Sequence, residues 1–245
     1  MLDKEFKGTK VTFKKITNIK LKNVPEIFKS ATYIGFCNSN DLPHGEGKLF
    51  PFYEDEDYSS EEDTNLFFEI FSCEGEWYEG NFIKGTYYMP SSKKIIGNFV
   101  FRDEDWVLEG EGKVLYYGDS EESYRNDKPI AQKKGIFEDD MLIKGEILNS
   151  PGVEFSGNID AKKIIYDGIE TRKIFNKELG DNIQLMTGEV FYKDGSHYKG
   201  EMYFDIPFGK GTMKLLDGRE WTTEWYDGEE KKDKWKNKVV SHKMS

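Results

Sequence analysis

The sequence predicts an all-β fold: an elongated, single-layer, twisted antiparallel sheet of stacked β-hairpins, with a short C-terminal capping helix. Three observations predict it. One pattern is written twice between Gly188 and Trp225. Tyr192, Asp194, Gly195, Tyr198 and Glu201 recur as Leu215, Asp217, Gly218, Trp221 and Glu224, each 23 positions on, and Gly188 recurs as Gly211. A fixed period of this kind marks a repeat array. Asp-Gly dipeptides punctuate alternating runs, which is a hairpin signal. Finally, 18 Phe, 14 Tyr and 24 Gly residues favour strands and turns over helices.

Each unit reads as one hairpin. Its first strand is Gly188 to Tyr192 or Gly211 to Leu215, and its second is Ser196 to Met202 or Arg219 to Trp225. Asp194-Gly195 and Asp217-Gly218 lie between them as tight turns, for which positive φ at both central residues is expected. Tyr198, Gly200 and Met202 alternate, so they share one face. Gly200 leaves room for a ring to lie over the backbone. A lone hairpin is marginal in water. Stacking hairpins buries a continuous apolar stripe, so each unit depends on its neighbours.

The residues Tyr198-Lys199-Gly200-Glu201-Met202, then Gly209-Lys210-Gly211, Asp217-Gly218 and Trp221, resemble the MORN repeat, whose core is Tyr-x-Gly-x-Phe/Trp followed by Gly-x-Gly. The match is specific in this C-terminal part and looser upstream. The resemblance implies an assembly role in ciliary, cytoskeletal or membrane-junction structures.

The array is expected over residues 31–228. Residues 1–30 carry Val11, Phe13, Ile16, Ile19 and Leu21 among lysines. They read as one or two strands, a bend at Pro25, and a cap on the first hairpin, where lysines discourage unwanted edge pairing. The first unit starts at Tyr33-Ile34-Gly35-Phe36 and runs to His44-Gly45-Glu46-Gly47. His44 is read as a solvent-facing turn residue. The competing reading as a catalytic base or ligand lacks a partner His or Cys at ligand spacing.

Residues 53–63, YEDEDYSSEED, hold seven carboxylates. A like-charge block of this kind reads as a solvated loop. Docking of a basic partner is the functional alternative there, and a calcium site lacks the EF-hand spacing. A return strand, Leu66 to Phe71, leads to a clear unit at Trp77-Tyr78-Glu79-Gly80-Asn81-Phe82 with Gly85. Degenerate units follow at Ile95-Ile96-Gly97-Asn98-Phe99 with Gly110-Glu111-Gly112, then at Lys133 to Phe137 with Gly145, and then at Phe155 to Ile159. The period places an eroded unit near Ile174 to Ile183. Residues 229–245 read as a charged tail in which Trp235, Val239 and His242 fall at helical spacing. A capping helix, a disordered tail and a partner-docking helix remain open there.

Composition narrows the function. A net charge of −11 disfavours nucleic acid and anionic membranes as general partners. Cys37 and Cys73 suit a reducing, cytosolic setting, and the N-terminal residues lack an apolar signal core. No Cys-x-x-Cys pair, nucleophile elbow or complete phosphate loop is written in the chain. The reading is therefore a non-enzyme with no cofactor and no metal. It is a scaffold whose aromatic face binds partner proteins as a helix or peptide, through Tyr78, Phe82, Tyr198, Met202, Trp221 and Trp225. Two further expectations accompany it. One is a phosphoinositide or lipid binder using Lys10, Lys14, Lys15, Lys20 and Lys22. The other is end-to-end self-association through an open sheet edge.

Overall fold

The computed structural model describes residues 3–51, 71–89, 93–117, 128–149, 161–176, 181–203, 205–226 and 229–230. The chain is all-β, built of antiparallel hairpins in which each strand pairs with the next in sequence within its unit. It divides into two compact units, Met1–Pro151 and Gly152–Ser245. The first contains β1 (Asp3–Phe6), β2 (Thr9–Ile19), β3 (Ala31–Cys37), β4 (Pro43–Pro51), β5 (Ser72–Tyr78), β6 (Asn81–Met89), β7 (Lys93–Arg102), β8 (Asp105–Tyr116), β9 (Ala131–Glu138) and β10 (Met141–Leu148). The second contains β11 (Ala161–Asn176), β12 (Asp181–Tyr192), β13 (His197–Tyr203), β14 (Ile206–Lys214), β15 (Glu220–Tyr226) and β16 (Glu229–Glu230).

Turn chemistry explains the hairpins and corrects the expected geometry. Lys7-Gly8, Glu79-Gly80, Asp103-Glu104 and Asp139-Asp140 all have positive φ at both residues, as a two-residue type I′ turn requires. They close β1–β2, β5–β6, β7–β8 and β9–β10. At Asp194-Gly195 and Asp217-Gly218 only the glycines have positive φ, at 87° and 88°. There the Gly195 N–H donates to the Tyr192 carbonyl and the Tyr192 N–H to the Ser196 carbonyl, and Gly218, Leu215 and Arg219 repeat the arrangement. These are three-residue loops with a left-handed glycine at the third position. The Asp194 carboxylate tightens its loop by accepting from the Ser196 N–H and hydroxyl, at 2.8 and 2.6 Å.

A row of glycines crosses the sheet. Gly35, Gly47, Gly75, Gly85, Gly97, Gly112, Gly135 and Gly145 are successive cross-strand partners from β3 to β10. Gly188, Gly200 and Gly211 form the equivalent row in the second unit. This corrects the expected unit at Trp77–Phe82: Gly80 is a turn residue, and Gly75 holds the in-strand position. The glycines are needed because side chains lie across them. A Cβ on Gly47 would fall 2.1 Å from Tyr33 Oη, and one on Gly211 would fall 2.1 Å from Tyr198 Oη. The expectation that Gly200 makes room for a ring holds, with Tyr198 itself lying over Gly200 and Gly211.

On the inner face of the first unit, Tyr33, Leu49, Cys73, Trp77, Tyr87, Ile95, Phe99, Val114, Phe137 and Ile147 are all buried. Trp77, Phe82, Phe99, Trp106 and Tyr87 form one ring network; Phe82 and Phe99 stack at 4.9 Å, and Phe82 and Trp106 lie 5.1 Å apart. The connection from β2 to β3 covers this network. It carries a single 3-10 turn, Glu26–Phe28, and buries Leu21, Val24 and Phe28. Phe28 packs 5.3 Å from Trp106 and 6.1 Å from Tyr87. Trp106 Nε1 donates to the Asn23 carbonyl at 3.2 Å. The segment read as an edge cap is therefore two paired strands plus a strap across the aromatic face.

In the second unit, Tyr198 and Trp225 meet edge-on at 5.3 Å and 78°, nearly reproducing Tyr33 and Trp77 at 5.6 Å and 79°. Trp225 Nε1 donates to the Gly211 carbonyl as Trp77 Nε1 does to Gly47. The eroded unit expected near Ile174 to Ile183 is the β11–β12 hairpin, in which these two residues pair. Ile183 and Leu185 pack against Phe208, with Ile174, Tyr203 and Tyr226 around them. The acidic stretch 53–63, the return strand over 66–70, the weak unit at 155–159 and the proposed tail helix at 235–242 lie outside the described residues.

An ion-pair clamp fixes the second unit's arm. Arg172 Nε and Nη2 donate to Glu201 Oε1 and Oε2 at 2.9 and 2.8 Å, and the Lys210 N–H donates to Oε2 at 2.7 Å. Burial alone would raise the Glu201 pKa; the Arg172 and Lys210 donors outweigh it and hold it below 4.5. Glu189 is also lowered, chiefly by Lys199, with His197 adding to it. Groups lowered by folding contribute stability that is complete above the unfolded pKa and lost as pH falls through the folded one. Acid is therefore expected to loosen this unit below about pH 4.5. Glu201→Gln should cost ~1–2 kcal/mol at pH 7, since Arg172 is half-exposed, and should flatten the acid limb. Urea unfolding and local hydrogen exchange at pH 7 and in acid check both effects; an unchanged acid limb would refute the clamp.

Candidate binding surface

Residues alternating with the buried ones form the outer face. In the first unit one apolar part of it is Phe13 on β2 with Ile34 and Phe36 on β3, and exposed Ile96 and Val100 on β7 are another. Phe13 and Phe36 meet edge-on at 5.5 Å and 80°, and Phe13 is 48% exposed. They are neighbours because Phe13 pairs with Phe36, and Lys15 with Ile34, across β2–β3. Beside them runs an open groove of about 530 Å³, lined by Phe13, Ile34, Phe36, Lys48, Glu74 and Thr86 among others. Its floor is backbone at Gly35, Gly47 and Gly75. Lys48 lies 4.0 Å from Glu74, whose Oε1 also accepts from the Tyr88 hydroxyl at 2.6 Å. Such a surface offers apolar anchorage, exposed backbone and one charge of each sign.

The residues expected to bind partners lie mostly elsewhere. Phe82, Tyr198, Met202 and Trp225 are buried, with exposures of 6% or less. They form the core, so the inner aromatic face is filled by the chain itself rather than held open for a ligand. Tyr78 is 40% exposed at the end of β5, and Trp221 on β15 is half-buried. The structure does not gather the six into one surface. Sequence reading missed Phe13, Ile34 and Phe36 as a cluster; the alternation of β2 and β3 carries that signal once their register is known.

His44 departs from expectation, being fully buried at the start of β4. Its Nδ1 accepts from the Glu79 N–H at 3.4 Å, and its ring lies against Phe6 and Tyr78. His197 is half-buried. It stacks on Phe191 at 4.4 Å and places Nε2 2.9 Å from Glu189. Cys37 and Cys73 are free and buried, and burial pushes the Cys37 thiol up to about 11. Among the described residues no three His, Cys, Asp or Glu side chains gather as a metal site would need. Nor, among those residues, is any helix long and apolar enough to cross a membrane. No protein-family model matches the chain, and no curated protein matches it.

Proposed function

We propose that this chain is a non-catalytic scaffold that holds partner proteins on the outer face of its first unit. The observation that carries this reading is the exposed Phe13 ring, edge-on to the half-buried Phe36, beside the glycine-floored groove. Aromatic anchors on a rigid sheet give contact area at small entropic cost, and a helix or extended segment with one apolar anchor fits such a surface. The resemblance to the MORN repeat favours a place in a ciliary or cytoskeletal assembly. Quantitative capture from the source cell tests the reading. Phe13→Ser with Phe36→Ser is expected to lower recovery of specific partners at least tenfold while Cys37 and Cys73 stay protected. Unchanged recovery with a folded variant would end the proposal.

A membrane-surface reading draws on Lys10, Lys15, Lys20 and Lys22, all exposed along and just beyond β2. Lys14 is committed to Asp41, which reduces that patch. Flotation with anionic vesicles at moderate salt separates the two readings.

A further inference from the structure

The last hairpin of the second unit repeats one from the first. Trp77-Tyr78-Glu79-Gly80 recurs as Trp225-Tyr226-Asp227-Gly228 at a constant interval of 148, and the same interval carries Lys84 to Lys232 and Tyr87 to Trp235. The described backbone keeps the correspondence. Trp77 pairs with Phe82 and Tyr78 with Asn81, as Trp225 pairs with Glu230 and Tyr226 with Glu229. Strand β15 thus stands where β5 does, and β16 matches the first two residues of β6. Glu230 in place of Phe82 is not part of the match.

Among the described residues β16 meets only Trp225 and Tyr226, so residues 220–224 have no strand on the side away from β14. Backbone groups on such an edge are a template for pairing. Glu220, Thr222 and Glu224 are exposed on the outer face there, and Trp221 on the inner face is half-buried. Cys73, at the place equivalent to Trp221, pairs with Tyr87 and is fully buried. A second copy fits this edge poorly: two β15 strands paired about Thr222 would set Glu220 against Glu224 twice, and like charges directly opposite are destabilising.

We propose that residues 231–237, which lie outside the described residues, dock on this edge of β15 in the register that β6 takes on β5. That register has Glu76 opposite Lys84, Glu74 opposite Thr86 and Cys73 opposite Tyr87, with Ile83 left over as a bulge. Carried over, it sets Lys232 opposite Glu224, Lys234 opposite Thr222, Trp235 opposite Trp221 and Lys236 opposite Glu220, with Lys231 at the bulge. Glu220 and Glu224 already face Lys214 and Lys210 on β14. Each glutamate then becomes the middle of a lysine–glutamate–lysine row, and opposite charges across strands are favourable. Trp235 covers Trp221 as Tyr87 covers Cys73. Thr223 and Asp233 replace Gly75 and Gly85, so there a hydroxyl faces a carboxylate. The docked segment is an autoinhibitory cover: strand addition to β15, by a partner or by another copy, requires that it leave first. Its own outer edge carries lysines, which discourage further pairing. The inference concerns the second unit and is independent of the scaffold reading of the first.

Disulfide trapping in the full chain tests the register. Under mild oxidation Thr222→Cys with Lys234→Cys is expected to crosslink within the chain at least tenfold faster than Thr222→Cys with Asp233→Cys. Equal rates, or a faster Asp233→Cys pair, would overturn the proposal. Hydrogen exchange gives a second readout that does not depend on the variants. The N–H groups of residues 220–224 that point away from β14 are expected to be protected in the full chain. They should exchange at least tenfold faster when the chain stops at Glu230, with the first unit unchanged. Rapid exchange in the full chain, or protection that survives the truncation, would overturn the proposal. Protection that falls on dilution would overturn it too, by assigning the edge to a second copy.

Discussion

Replacing Phe28 with alanine lowers the stability of the first unit by about 3–5 kcal/mol. Phe28 is fully buried and sits on Trp106 and Tyr87 at the centre of the inner-face network. Removing the ring opens a cavity under the strap and weakens the grip of Leu21 and Val24 beside it. It also leaves a contiguous aromatic patch facing water, which a single-layer sheet has no second sheet to cover. The thiols supply a local readout. Both cysteines lie on the inner face, and burial raises both pKa values, so each is protonated and shielded at neutral pH and reacts only on opening. Alkylation in the variant is expected to run about a hundredfold faster or more, the rate equivalent of that loss. Phe28→Leu keeps most of the volume and should cost under about 1.5 kcal/mol. An unchanged urea midpoint in the alanine variant would mean that the strap is an ornament and that the rings are stable uncovered.

The strap also shows where sequence reading stopped. Alternation told which residues share a face: Tyr198 with Met202, and Trp221 with Trp225. It did not tell which face meets water: in the first unit the chain that covers Tyr87 and Trp106, Leu21–Phe28, comes from far away in sequence. Rings read as a docking surface are thus mostly core. Register failed for a related reason. Tyr78-x-Gly80 matches the local pattern better than Cys73-x-Gly75, yet Gly75 pairs with Gly47 and Gly85 while Gly80 turns the chain. The Asp-Gly dipeptides located their loops and misled on their type, since a third loop residue moved the positive φ onto glycine alone. What was legible was the hairpin series itself, written in glycine spacing and aromatic alternation.

Two glycines in the same ladder should answer substitution differently. At Gly211 φ is not left-handed, and the three atoms nearest an added Cβ all belong to Tyr198, with Oη at 2.1 Å and Cζ at 2.3 Å. Alanine there must evict the ring, breaking its hydroxyl bond to the Glu201 carbonyl at 2.6 Å and its edge contact with Trp225. We expect a loss of about 3–5 kcal/mol. With Tyr198→Leu already in place the obstacle is smaller, so Gly211→Ala should cost about 1–3 kcal/mol less in that background. At Gly145 φ is +142°, and a Cβ would lie 2.1 Å from the Lys134 carbonyl oxygen and 2.7 Å from the Gly135 Cα. The obstacle is the backbone of the facing strand, which no side-chain change removes. Gly145→Ala should therefore be at least as damaging and additive with truncation of the nearby Leu142. Urea unfolding of the two double-mutant cycles decides the matter. Coupling at Gly211 with additivity at Gly145 identifies a side-chain lock in one unit and a backbone lock in the other. Additivity at both would mean that the Tyr198 ring does not need the glycine beneath it.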